Sequence, residues 1–108
     1  MWLMLQSGMY SIVAIPGKPE LLKVRARRPG DIEALFPQAS VQRTPGRDYL
    51  YRAEIQRELV AQVLAQQVLE ITVTNFKESV TDPALHRAYS DVWVRLARLQ
   101  ELAPYSGS

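Results

Sequence analysis

The stretch "ASVQRTPGRDYLYRAEIQRELVAQVLAQQVLEI", Ala39 to Ile71, leaves a chain few choices of fold. Pro45-Gly46 is the pair a type II turn requires, because proline presets φ at the first central position and glycine takes positive φ at the second. The flanking arms, "ASVQRT" and "DYLYRAEIQ", therefore pair as an antiparallel hairpin. In the second arm Tyr49, Tyr51, Ala53 and Ile55 alternate with Leu50, Arg52 and Glu54, which gives the strand one apolar face. The period then changes to that of a helix, with Val60, Val63, Leu64 and Ile71 on one stripe. A hairpin that runs straight into an amphipathic helix buries both apolar faces in common, which is an α+β arrangement.

The segments upstream agree. "YSIVAIP" (Tyr10 to Pro16) is β-branched and ends at Pro16-Gly17. "LLKVRAR" sends Leu22, Val24 and Ala26 one way and Lys23, Arg25 and Arg27 the other, as in a half-buried strand. After Pro29-Gly30, Asp31 offers a carboxylate to the first turn of a short helix, "DIEALF", which Pro37 stops. Downstream, "TVTNF" suits either a short strand or a loop. The last helix has the strongest start signal, Asp82 as N-cap and Pro83 at the first helical position. Leu85, Tyr89, Val92, Leu96 and Leu99 continue it as an apolar stripe of about four turns, with Leu102 and Ala103 beyond and Pro104 as the stop.

The simplest burial scheme is an antiparallel four-stranded sheet with helices packed on one face, ββαββαα. The alternative is a ferredoxin-like βαββαβ fold with a C-terminal helix, using "TVTNF" as its fourth strand. At 108 residues a single domain is expected, with its core over about residues 10–103. Residues 1–8 read as an N-terminal extension, Met9 being a second candidate start, and residues 104–108 as a flexible tail.

Composition narrows function mainly by exclusion. There is no cysteine and one histidine, so a zinc site built on nitrogen and sulfur ligands is not expected, nor a cysteine nucleophile. That composition fits a reducing cytoplasm. The opening apolar run breaks at Gln6-Ser7-Gly8, far short of the roughly 20 residues that span a bilayer, so no membrane partner is expected. Phosphate-binding, dinucleotide and hydrolase-elbow motifs are absent, and no cofactor is implied. Net charge is +2, from 13 Lys and Arg against 11 Asp and Glu, so a nucleic-acid partner would need those charges clustered.

Two clusters qualify. Lys23, Arg25, Arg27 and Arg52, with Arg43 nearby, would line the sheet face opposite the helices and bind phosphates. Asn75, Lys77 and His86 are candidate ligand-binding residues, with Lys77 and the amides opening the last helix directed at an anion. Their plainer roles are a turn bond for Asn75, solvation for Lys77 and a boundary position for His86, beside a Phe76 plug and core aromatics Tyr89 and Trp93. No residue is singled out as catalytic. The leading expectation is a binding or interaction module that self-associates as a homodimer, since the Trp2-Leu3-Met4-Leu5 end, Val94 and the tyrosine-rich strand exceed what one small core buries. The alternative is nucleic-acid binding through the basic face. A small enzyme acting on an anionic substrate comes third, with His86 as its acid or base.

Taken together, "VRARRPGDIEALFP", "DYLYRAEIQ", "NFKESVTD" and "HRAYSDVW" resemble the motifs of a family of small bacterial proteins, some encoded on phages and plasmids. The resemblance covers about Tyr10 to Leu99. Leu85 stands where that family would have an arginine before the histidine, and Val73 where an aromatic would precede "NFK". The family brings no activity, cofactor or catalytic residue, so the resemblance implies fold boundaries and nothing about chemistry.

Overall fold

The computed structural model describes residues 1–100, which divide into two compact units, Met1–Thr72 and a second from Val73 onward. The expectations for Leu102, Ala103, Pro104 and the tail lie outside the described residues.

The first unit is a five-stranded, wholly antiparallel sheet in the order β1-β2-β3-β5-β4 with two helices. Its strands are β1 (Trp2–Met4), β2 (Met9–Ala14), β3 (Leu21–Ala26), β4 (Gln42–Arg43) and β5 (Tyr51–Gln56). Helices α1 (Asp31–Leu35) and α2 (Arg57–Leu69) both pack on β3 and β5. Four strands are therefore one too few. The supposed extension is an edge strand, joined to β2 by a tight turn closed by reciprocal Leu5 and Gly8 backbone bonds. The Met1 ammonium also donates to the Ile12 carbonyl at 2.8 Å, pinning the chain just before β1.

The core follows from strand alternation. Tyr10 and Ile12 on β2, Val24 and Ala26 on β3, and Ala53 and Ile55 on β5 are buried against Ile32, Leu35 and Phe36 around α1 and Val60 on α2. Leu3 and Leu5 pack against the same cluster. The Pro45-Gly46 turn forms as expected: Gly46 has φ 81° and the Arg47 amide donates to the Thr44 carbonyl at 3.3 Å.

Several details differ from expectation. Asp31 does stand in the first turn of α1, but both its carboxylate oxygens accept from Arg28 at 3.1 Å and make no cap bond to the helix. Helix α2 ends at Leu69, so Ile71 lies beyond it and is exposed. Residues 72–75 are a loop, which removes the fourth strand of the ferredoxin-like alternative.

The second unit holds α3 (Phe76–Ser79) and α4 (Pro83–Ala97), followed by a 3₁₀ turn at Arg98–Gln100. Asp82 caps α4, its Oδ2 accepting from the Leu85 amide at 2.9 Å, with Pro83 opening the helix. Leu85 and Tyr89 are buried, whereas Val92, Leu96 and Leu99 grow steadily more exposed. Trp93 is not a core aromatic, being about a third exposed, and Phe76 does not plug a core. Its ring is half-exposed and stacks on Tyr89 at 5.8 Å. No helix among the described residues is long and apolar enough to cross a membrane.

Candidate functional site

Residues directly opposite one another on paired strands point to the same face. The register therefore reads out a row across all five strands, Trp2, Ser11, Arg25, Arg52 and Gln42. The neighbouring row on that face includes Lys23 and Glu54, and Met9 and Arg27 lie on the other side of it. This is the face turned away from α1 and α2, since the alternate residues Val24, Ala26, Ala53 and Ile55 carry the core.

Lys23, Arg25, Arg27 and Arg52 are thus brought together as expected. Arg43 is not. It lies opposite Tyr51, whose side chain packs toward the core, so the pleat directs Arg43 to the helix-bearing face, where it is exposed. Tyr49 also departs from expectation, in the opposite sense. It precedes β5 in an irregular stretch, and its ring lies under the Arg25 and Arg27 guanidinium groups, 4.6 and 4.1 Å from its centre. Two cations are attracted to one aromatic ring by its quadrupole, which holds the pair at a spacing that their mutual repulsion opposes.

Like charges on opposed positions destabilise a sheet, so Arg25 beside Arg52 needs compensation. Arg25 donates to the Ser11 hydroxyl at 2.6 Å but leaves its buried Nε without a partner among the described residues. Arg52 is bonded to the Asp48 carboxylate at 3.0 Å. Glu54, the one carboxylate within the Lys23 row, pairs with Lys18 at 3.3 Å. Neither Lys23, Arg25 nor Arg27 has a carboxylate partner among the described residues. Beside them Lys23, Arg47 and Arg52 line a polar cavity of about 180 Å³, together with Gln42, Thr44 and Glu54.

The Asn75, Lys77 and His86 candidates each have a local place. Asn75 Oδ1 caps α3, accepting from the Glu78 amide at 3.2 Å. Lys77 pairs with Glu78 at 3.1 Å and lies 5.4 Å from the Trp93 ring centre. His86 sits in the first turn of α4, half-buried, its amide donating to the Asp82 carbonyl.

The residues that sequence reasoning missed are Trp2, Tyr49, Gln42 and Arg47. No periodic signal marks the first: "MWLML" is apolar throughout, so which of its side chains are buried does not show as an alternation. Comparison with protein-family models, with curated proteins and with solved structures finds no match to this chain.

Proposed function

We propose that this chain is a small binding module whose binding surface is the basic face of the sheet and whose partner is nucleic acid. The carrying observation is the run Lys23 and Arg25 on β3 and Arg27 just past its end, with no carboxylate partner among the described residues. Unpaired cations fixed on a rigid strand neutralise phosphates and release counterions, which supplies affinity without sequence reading.

Anisotropy titration of labelled DNA and RNA oligomers tests this. With two to three phosphate contacts, log K should fall against log salt with a slope of about −2. Lys23 and Arg27 are the residues to replace. Arg25 and Arg52 are bonded into the sheet surface, and removing them would disturb its packing as well as its charge. Lys23→Gln with Arg27→Gln should weaken binding about tenfold at low salt and flatten the slope by about 1.5, while the lost contact of Arg27 with the Tyr49 ring costs no more than about 1 kcal/mol of stability. Absence of binding to every oligomer at low salt refutes the reading.

Self-association is a second reading, favoured by β1. This edge strand is short, three residues, but it carries no charge, proline or bulge, which are other devices that stop an edge from pairing with another copy. A two-fold pairing of β1 with itself would extend the sheet in a closed dimer. Light scattering on a size-exclusion column should then give twice the chain mass at micromolar concentration, and a monomer there rules the dimer out.

A further inference from the structure

Trp2 is 76 % exposed, yet it opens an ordered strand, and the residue before it, Met1, is bonded through both its amine and its carbonyl to Ile12. Fully exposed indoles are uncommon on rigid sheet surfaces, because burying one removes a large apolar area from water. Here the register places it in the row of Arg25 and Arg52, two strand spacings or about 10 Å from Arg25. Met4 and Met9 continue the apolar patch next to it, with Arg27 on the far side of Met9. The face is therefore divided: an apolar, aromatic half on β1 and β2 adjoins a cationic half on β3 and β5.

A uniform polyanion uses only the second half. A duplex does little better, since its bases are stacked inward and present phosphates to a flat surface. A single strand uses both, laying an unpaired base on an aromatic ring while its backbone follows the cations. We propose that the partner of this face is single-stranded nucleic acid and that Trp2 is its base-stacking residue. This rests on the nucleic-acid reading above and narrows it to one class of strand. The shared chemistry of DNA and RNA, a base flanked by phosphates, is what the face recognises.

Two tryptophans are present, so Trp93→Phe leaves Trp2 as the only indole reporter. That variant is titrated with a 12-nucleotide oligo-dT, an oligo-U, a DNA duplex of equal length, and heparin as a polyanion without bases. The expected result is quenching of Trp2 emission by both single strands but by neither duplex nor heparin. Trp2→Ala should weaken single-strand binding about tenfold or more with the salt slope unchanged, and leave heparin binding as it was. Trp2→Leu, which keeps an apolar side chain on β1, should lose affinity like alanine, while Trp2→Tyr should retain most of it. That comparison separates stacking from any loosening of the strand. Unquenched Trp2, or full affinity in Trp2→Leu, overturns the stacking proposal even where salt-dependent binding persists. Loss of binding to all four probes overturns the nucleic-acid reading itself, and the stacking proposal with it.

Discussion

Tyr10→Ala should remove about 3–5 kcal/mol of stability, the usual result of truncating a buried aromatic to a cavity. Against a typical total of about 5–15 kcal/mol, that is enough to leave much of the chain unfolded at 37 °C. Tyr10 is wholly buried in the centre of the core cluster, and its hydroxyl donates to the Asp31 carbonyl at 2.7 Å. It also bonds the Ser7 hydroxyl at 2.9 Å. One side chain thus fills the space under β2 and fastens both the β1–β2 turn and the start of α1. Tyr10→Phe keeps the packing and loses those bonds, for about 1–2 kcal/mol. The two variants also differ in their response to alkali. Burial raises the Tyr10 pKa above 10.0, with the Asp31 charge adding to the effect and the Ser7 bond and Arg28 opposing it. The unfolded chain therefore loses this proton first, and stability falls as pH rises past 10. The advantage of the parent over Tyr10→Phe should be constant below about pH 9 and shrink above pH 10. Urea denaturation across that range measures both. An alanine variant within about 1 kcal/mol of the parent would show that the ring does not fill the core.

What the sequence made legible was local. The Pro45-Gly46 turn, the Asp82-Pro83 helix start and the alternation of Leu22, Val24 and Ala26 each depend on a few adjacent residues, and each is present in the structure. Features that depend on distant pairing, or on how far a period persists, are not legible in this way. Arg43 lies on the helix-bearing face because its parity follows from the register Arg43 to Tyr51, which the turn length sets. Alternation along β5 puts Tyr49 on the apolar face, but the regular strand begins two residues later, and the irregular backbone turns the ring toward Arg27. Ile71 was placed on a stripe whose helix ends at Leu69. Helical spacing likewise identifies the apolar side of α4 without saying how much of it is covered, so Trp93 looked like core. The face of Trp2 is hidden in the sequence for a related reason. A three-residue strand carries too little pattern to be separated from an apolar tail, and only its pairing with β2 gives the indole a face and neighbours.

The clasp between the β1–β2 turn and α1 supplies the last large effect, Gly8→Ala. Gly8 is buried, and a Cβ added there would lie 2.7 Å from Asp31 Oδ2 and 2.8 Å from its Cγ, closer than real contacts allow. The restriction is one of space, because Gly8 is not among the glycines with positive φ. Relief by a side-chain swing is obstructed. The Asp31 carboxylate is itself buried and bound at both oxygens by Arg28, whose guanidinium also donates to the Ser7 carbonyl at 3.3 Å. Either that ion pair breaks, or the turn opens and takes the Tyr10 to Ser7 bond with it. Overpacking of this kind costs about 1–3 kcal/mol, and disturbing an ion pair whose carboxylate is buried puts Gly8→Ala toward the upper end, about 2–3 kcal/mol. A double-mutant cycle separates this cause from a general intolerance of the turn. In an Asp31→Ala background the carboxylate is gone, so adding Gly8→Ala should cost little more than Asp31→Ala alone. Chemical denaturation of the four proteins gives the coupling directly. Equal costs of Gly8→Ala in the two backgrounds would mean that the carboxylate is not what the new methyl group meets.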